Sequence, residues 1–274
     1  MGMPDRDPEL AADHLARTVL DLARPADDPS AVLQRTCHLL TRQLQTSAAL
    51  GYQAGLRQQL TGPVATEPRA LELARAAVAG APGPAADCLR SGRRQPWIPL
   101  THPIARLRWP SWAAQARAAG YAQVCALPLT GGEDVVAAVT LLRTAGRIGG
   151  RPRSAAAAKP EHAPQTRGVV PGVDEAAWRR AELIAAAAAT GLLAGRRLAE
   201  AHATIVQLEG ALTSRILIEQ AKGVLAERHR LTTGEAFTLL RRYARDRRIA
   251  LRDLALQILD PQGPPRAHAI APEP

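Results

Sequence analysis

The stretch that decides the fold of the C-terminal part reads LTSRILIEQAKGVLAERHRLTTGEAFTLLRRYARDRRIALRDLALQIL, residues 212–259. Apolar residues recur there every three or four positions in three segments, which predicts three short amphipathic helices. The first helix ends at His229-Arg230, where cations are favourable at the negative end of the helix dipole. The second begins at Thr232, and Glu235 stands three residues later, as in a capping box. The third spans about Leu251–Leu259 and stops before a proline. The segment is therefore expected to form a small all-α bundle.

A regular apolar pattern precedes this bundle. Its positions are separated by three, four, three and four residues, which is the spacing of a coiled-coil seam. The seam residues are Leu198, Ala201, Ile205, Leu208 and Leu212. A single helix cannot bury this short stripe by itself. The sequence therefore predicts a partner helix and a homodimer.

Positive charge is concentrated on the polar faces of the predicted bundle. Between Thr213 and Asp260, ten cations stand against six acidic residues, which leaves a net charge of +4. Five arginines fall within residues 241–248, and Tyr243 among them could stack on a base. Arginine forks onto phosphate and stacks on bases, and unpaired RNA bases are commonly recognised in this way. Charge alone is equally compatible with an ordinary solvated helix face.

The same segment resembles the ANTAR family, the RNA-binding module of bacterial transcription antiterminators. The residues that carry the resemblance are Arg215, Ile218, Glu219, Ala221-Lys222-Gly223, Glu235-Ala236-Phe237, Leu240-Arg241, Ala244, Leu251, Asp253 and Ala255. The resemblance implies binding of paired small stem-loops in nascent mRNA, which prevents a competing terminator hairpin from forming. Two linked modules would favour two linked stem-loops over one, because linkage raises the effective concentration.

The expected RNA contacts follow from this resemblance and from the arginine cluster. Lys222 and Gly223 are expected on the exposed side of the first helix. Lys222 is expected to contact phosphate, and Arg241 and Arg242 phosphate or loop bases. The complete predicted RNA-binding set is Arg215, Lys222, Gly223, Arg241, Arg242, Arg245, Arg247 and Arg248. By contrast, Ala221, Ala236 and Ala244 are interpreted as close-packing residues.

The N-terminal half mixes helix and strand patterns. Helical apolar spacing covers Leu10–Ala23 and Ala31–Leu44, and a strand is predicted near Ala48–Tyr52. Two stronger strands, Gln123–Leu129 and Val135–Leu142, flank a short turn that contains Gly131-Gly132, which is typical of a β-hairpin. An α/β (α+β) domain is therefore expected.

Roughly from Leu10 to Leu142, this half resembles a GAF domain of the type fused to ANTAR modules. The resembling residues are Gly83-Pro84, Cys88-Leu89-Arg90-Ser91-Gly92, Arg108-Trp109-Pro110, Ala119-Gly120-Tyr121 and Ala126-Leu127-Pro128-Leu129. Many such domains carry a cysteine directly after Gly-Pro, whereas this chain has Ala85, so no thiol role is transferred to Cys88. The resemblance implies either a domain that binds an unknown small ligand or a structural dimerising scaffold.

The predicted organisation has five parts. They are a GAF-like domain (residues 9–145), a Gly/Pro/Ala-rich linker or insert (146–172), a closing helix and coiled coil (173–212), an ANTAR bundle (213–260) and a Pro-rich tail (261–274). The fold class is thus an α/β (α+β) GAF-like domain, a coiled-coil helix and an all-α three-helix bundle.

Composition restricts the function classes. The net charge of +10 and the pI near 10.8 suit a polyanionic partner. Cys37, Cys88 and Cys125 are odd in number and widely spaced, which disfavours a disulfide framework or zinc site and favours a cytoplasmic location. No catalytic motif, cofactor loop, metal-ligand spacing or membrane-spanning run is recognised. Two alternatives to RNA binding stay open: a DNA-binding three-helix regulator, and a ligand-sensing or protein-docking module without nucleic acid.

Overall fold

A computed structural model describes residues 8–145 and 174–260. The chain divides into two compact units, residues 1–198 and 199–274. The predicted linker (146–172) and tail (261–274) lie outside the described residues.

The first unit is built on one antiparallel sheet. Its strands are β1 (Ala48–Ala54), β2 (Leu60–Ala65), β3 (Gln95–Pro99), β4 (Tyr121–Gly131) and β5 (Asp134–Thr144), in the order β2-β1-β5-β4-β3. The predicted hairpin is confirmed as β4 and β5, which leave only Gly132-Glu133 as the turn. Gly132 has a φ of 69°, a backbone conformation that favours glycine in such short turns.

Helices cover both faces of the sheet. Against one face lie α1 (Pro8–Leu22), α2 (Pro29–Gln43) and the first part of α7 (Glu175–His229). Against the other lie α3 (Pro68–Val78), α4 (Pro84–Ser91), α5 (Pro103–Arg108) and α6 (Pro110–Ala118). Strands β2 and β3 and helices α3 to α6 were not predicted. Each of those four helices carries proline at its start, where the fixed φ and the missing N–H cost nothing.

A buried carboxylate ties α4 to the α5–α6 corner. Asp87 accepts a hydrogen bond from Trp109 Nε1 at 2.7 Å, and the guanidinium groups of Arg90 and Arg108 each lie 2.7 Å from it. Trp112 beside this corner is 1% exposed. A buried carboxylate with three donors stabilises the fold. Trp109 and Trp112 are both buried and belong to the core.

Glycines let α7 approach the end of α1 unusually closely. A Cβ added to Gly191 would lie 2.1 Å from the carbonyl oxygen of Leu22, and one added to Gly195 would lie 2.2 Å from that of Ala26. The Ala26 N–H donates to the Gly191 carbonyl at 3.1 Å. Only glycine fits at these two positions of α7.

The second unit contains three helices: the end of α7, α8 (Thr233–Arg247) and α9 (Leu251–Leu259). The expected three-helix bundle is confirmed, and the fold class is an α+β domain, a long helix and an all-α bundle. The predicted closing helix and coiled-coil segment belong to one continuous helix of 55 residues. Among the described residues, no helix is both long and apolar enough to cross a membrane.

Candidate nucleic-acid interface

A small apolar core fixes the positions of α7, α8 and α9 in the second unit. Leu225, Leu240 and Leu254 are fully buried at its centre. Ala221, Ala236 and Ala244 are also buried, which agrees with their predicted role in close packing. Small side chains at these contacts let the helices approach closely. Because the apolar faces of the helices form this core, the charged residues of the unit lie on its outer faces.

The start of α8 is fixed by the capping box that the sequence predicted. The Thr232 side chain accepts a hydrogen bond from the Glu235 N–H, and the Glu235 carboxylate accepts from the Thr232 N–H at 2.8 Å and from its hydroxyl at 2.7 Å. These hydrogen bonds, first of all that of the Thr232 hydroxyl, lower the pKa of Glu235. The carboxylate therefore stays ionised near neutral pH and keeps a fixed orientation.

The Phe237 ring lies close to two of the predicted RNA-contacting cations. The ammonium nitrogen of Lys222 is 5.3 Å from the centre of the Phe237 ring, and the guanidinium carbon of Arg241 is 5.8 Å from it. Both distances are within the range of a cation–π interaction. The ring therefore positions one cation from α7 and one from α8 at the same place.

One part of the prediction for Lys222 is corrected. Lys222 was expected on the exposed side of its helix, but its side chain is only 17% exposed, and its ammonium group lies 2.8 and 3.0 Å from the two Glu219 carboxylate oxygens. The aliphatic stem is covered because the cation lies over Phe237. A phosphate that binds Lys222 would have to share it with Glu219.

The five arginines of residues 241–248 do not share one face. Successive residues of an α-helix are about 100° apart, so Arg241, Arg245 and Arg248 follow one side of α8. Arg242 lies on another side, where it lines a groove with Thr238 and Leu239. Arg247 stacks over Tyr243, with 4.5 Å from its guanidinium carbon to the ring centre. The exposed cations therefore surround α8, and Tyr243 already has one aromatic face covered.

The remaining predicted contacts are exposed. Arg215 and Gly223 lie on the outer surface of α7, and a Cβ added to Gly223 would meet no atom within 4 Å. Arg248 ends α8 in the left-handed conformation, with φ 54° and ψ 38°. A non-glycine residue in this conformation costs about 1–2 kcal/mol. Arg230 after α7 has a similar φ of 52°.

The predicted seam is an exposed apolar stripe on α7. Leu198, Ile205, Leu208 and Leu212 are between 51% and 64% exposed, and Ala201 between them is also exposed. Several leucine and isoleucine side chains in a row on one stripe of a soluble helix are typical of a helix that pairs with another.

Sequence reasoning missed two features of this unit. The first is Phe237 as a platform for Lys222 and Arg241, although the separation of four residues between Phe237 and Arg241 was visible in the sequence. The second is the groove beside α8, which forms only when the α7–α8 loop packs against α8. Among the described residues, no group of three or more His, Cys, Asp or Glu side chains could hold a metal ion.

Several solved structures are similar to this chain. The GAF domain from Acinetobacter phosphoenolpyruvate-protein phosphotransferase has 14% identity over 71% of this chain and 95% of that chain, with a TM-score of 0.39. A GAF domain/HD domain protein from Geobacter sulfurreducens has 16% identity over 63% of this chain and 95% of that chain, with a TM-score of 0.35. The Stigmatella aurantiaca phytochrome photosensory core module has 12% identity over 87% of this chain and 45% of that chain, with a TM-score of 0.43.

No curated protein matches the sequence significantly. The model of the ANTAR domain family matches residues 206–259. The match covers α8, α9 and the end of α7, and it begins seven residues before the predicted boundary at residue 213, within the seam. Residues 206–259 of this chain are an ANTAR domain.

Proposed function

We propose that this protein is an RNA-binding transcription antitermination regulator that acts as a homodimer. Each copy holds one of two neighbouring stem-loops in nascent mRNA, and the pair prevents a competing terminator hairpin from forming. The observation that carries this proposal is the ANTAR domain at residues 206–259, because ANTAR domains are characteristic of RNA-binding antiterminators. Such a regulator acts where bacterial mRNA is being transcribed, in the cytoplasm.

The charge distribution of the ANTAR domain supports the proposal. Exposed arginines surround α8, and the ten cations and six acidic residues between Thr213 and Asp260 leave a positive surface. Arg241 and Lys222 are both positioned by contact with the Phe237 ring, so less side-chain freedom is lost when they bind phosphate. Arg245 and Arg248 extend the same side of α8, and Arg215 and Gly223 add exposed positions on α7.

The exposed seam supports the dimer. Its alternating spacing of three and four residues is that of a left-handed coiled coil, in which each apolar side chain inserts between four residues of the facing helix. Arg215 stands three residues after Leu212, so a charge ends the stripe next to the predicted RNA contacts. A second copy of α7 is the partner whose apolar stripe matches this one by construction.

For the α+β unit we propose a structural role in holding the two copies together. The face of its sheet under α3 to α6 is filled by buried side chains, including Tyr52, Trp109 and Trp112. A cleft of about 360 Å³ lies at the sheet end beside Leu100, Tyr121 and Thr144, and it remains the candidate for a small ligand. We retain the five-part domain organisation as part of this proposal.

RNA selection followed by charge reversal tests the function. Full-length protein is used to select RNA from a library of two stem-loops with randomised loops. The double variant Arg241→Glu/Arg242→Glu is then compared with Arg75→Glu/Arg106→Glu, which makes the same change of net charge at exposed positions of the first unit. We expect the first variant to lose the selected RNA and the second to retain it, with unchanged circular dichroism for both.

Two outcomes would overturn the proposal. If selection enriches no RNA at moderate salt, or if duplex DNA competes with the selected RNA on equal terms, the protein is not a specific RNA binder. Salt must be fixed throughout, because affinities for nucleic acid change by orders of magnitude with ionic strength. Equal loss of binding in both double variants would mean that net charge, and not this face of α8, holds the RNA.

A further inference from the structure

A groove of about 670 Å³ lies beside the N-terminal half of α8. The described residues that line this α8 groove are Leu231, Thr232, Gly234, Glu235, Thr238, Leu239 and Arg242. All of them belong to the ANTAR domain, and only Arg242 belongs to the predicted RNA-binding set. The volume falls within the usual range for small-molecule sites, roughly 300–1,000 Å³, and far exceeds what a single ion needs.

The base of the α8 groove is apolar. Leu239 is buried and Leu231 is half-buried, and both line the groove with hydrocarbon atoms. Gly234 leaves one wall open, because a Cβ added there would meet no atom within 4 Å. The Thr238 hydroxyl donates to the Gly234 carbonyl at 3.0 Å, so its hydrogen is already used within the helix.

Two charged groups line the groove: the Glu235 carboxylate, which accepts hydrogen bonds, and the Arg242 guanidinium, which donates them. The Glu235 carboxylate is ionised, and Thr232 orients it through two hydrogen bonds to Oε2. Arg242 stands seven residues further along α8, which corresponds to about 10 Å along the helix axis. An anion alone is a poor occupant, because Glu235 would repel it.

We infer that the α8 groove receives one unpaired loop nucleotide of the RNA, an inference that rests on the proposed function. The base lies on Leu231 and Leu239, an exocyclic amino group of the base donates to Glu235, and the phosphate reaches Arg242. The distance of about 10 Å between Glu235 and Arg242 along the helix axis is of the order that one nucleotide, from base edge to phosphate, and an arginine side chain can span together. Adenine, guanine and cytosine carry such an amino group and uracil does not, so the groove disfavours uridine.

The first test fills the groove with a side chain and leaves the net charge of the protein unchanged. Gly234→Leu places a side chain in the groove at an exposed helix position where nothing lies within 4 Å, so the helix should fold at least as well. Gly210→Leu is the matched control, because it makes the same change at another open helical glycine outside the groove. The probe is the selected two-stem-loop RNA, together with a series in which each unpaired loop nucleotide in turn is made abasic.

We expect wild-type protein to lose ~10- to 100-fold in affinity at one abasic loop position, the range given by removal of a stacked or hydrogen-bonded base. Gly234→Leu should bind the intact RNA more weakly by a similar factor and should no longer respond to that position. Gly210→Leu should behave as wild type. This double-mutant cycle measures the coupling between the groove and one base directly.

A second variant tests the chemistry. Glu235→Gln preserves a side chain able to cap α8 but adds an amide donor. It should tolerate uridine at the sensitive position better than wild type does. If the protein binds the RNA but Gly234→Leu stays as sensitive as wild type to every abasic position, the inference fails and the proposed function stands. If no RNA is selected by any variant, the proposed function itself fails.

Discussion

The substitution Leu208→Asp in the α7 seam tests the proposed dimer most directly. Leu208 is 64% exposed in the single chain, more than the other leucine and isoleucine residues of the seam. Full burial of a leucine side chain is worth about 1.5–3 kcal/mol. Burial of the exposed part by a second copy should therefore contribute about 1–2 kcal/mol for each of the two helices.

Aspartate removes this contribution from both helices at once. The expected loss is about 2–4 kcal/mol, which corresponds to a ~30- to 1000-fold increase in the dissociation constant of the dimer. The two carboxylates would also face each other across the seam and add repulsion of the same sign. The folded bundle of the second unit should be unaffected, because Leu208 does not belong to its apolar core.

Sedimentation equilibrium over a range of concentrations measures the dissociation constant. Val206→Asp is the matched control, because Val206 is also on α7, is 54% exposed and lies off the seam. We expect Val206→Asp to dimerise like wild type. We also expect Leu208→Asp to bind a tandem stem-loop RNA no more tightly than a single stem-loop, because the gain from linked sites is lost.

The reasoning would be refuted by a wild-type protein that stays monomeric at concentrations where it binds tandem RNA. A Leu208→Asp variant with an unchanged dissociation constant would refute the seam and leave dimerisation to another surface. A Val206→Asp variant that dissociates as readily would show that any charge on α7 disrupts association.

Three further substitutions and one change of pH have defined outcomes. Gly191→Ala should destabilise the first unit by about 1–3 kcal/mol, because its Cβ would overlap the Leu22 carbonyl, as measured by urea unfolding with tryptophan fluorescence. Gly210→Ala, where nothing lies within 4 Å, should instead stabilise α7 by about 0.5–1 kcal/mol in thermal unfolding. Arg248→Gly should raise the thermal midpoint of the bundle, because the left-handed conformation is relieved, while it weakens RNA binding through loss of a cation. Burial raises the pKa of the Cys88 thiol to about 12, and burial followed by the Glu67 hydrogen bond raises the pKa of Tyr121. The folded state then holds protons that the unfolded chain has released. The contribution of these two groups to the free energy of unfolding should be constant below about pH 8 and fall as the pH rises from about 9 to 11, in urea titrations at each pH.

The local signals in the sequence were sufficient for the ANTAR bundle. The Thr232 and Glu235 pair fixes the start of α8 through contacts between near neighbours, so its structure follows from a short pattern. The β4–β5 hairpin was predictable for the same reason, because two strongly apolar runs flank a glycine turn. Helices α3 to α6 were missed because they are short, because α3 and α6 are rich in alanine, and because the proline at each start was not used as a signal.

The arrangement of the candidate site was only partly predictable. Helical geometry alone separates Arg241 from Arg242 by about 100°, and this could have been worked out from the sequence. The partial burial of Lys222 could not, because it depends on the contact of α7 with Phe237 on α8. The α8 groove likewise requires the α7–α8 loop to fold back beside Thr238 and Leu239.

The close passage of α7 against the end of α1 limits how far α7 can move within the first unit. A slide of α7 by about one turn along its axis would bring the Cβ of Ala187 or Ala194 towards the place where Gly191 has only a hydrogen, against the Leu22 carbonyl. Rotation of α7 about its own axis would also bring a side chain against the Leu22 carbonyl. Sliding and rotation of α7 against the end of α1 are thus opposed while the Ala26–Gly191 hydrogen bond persists.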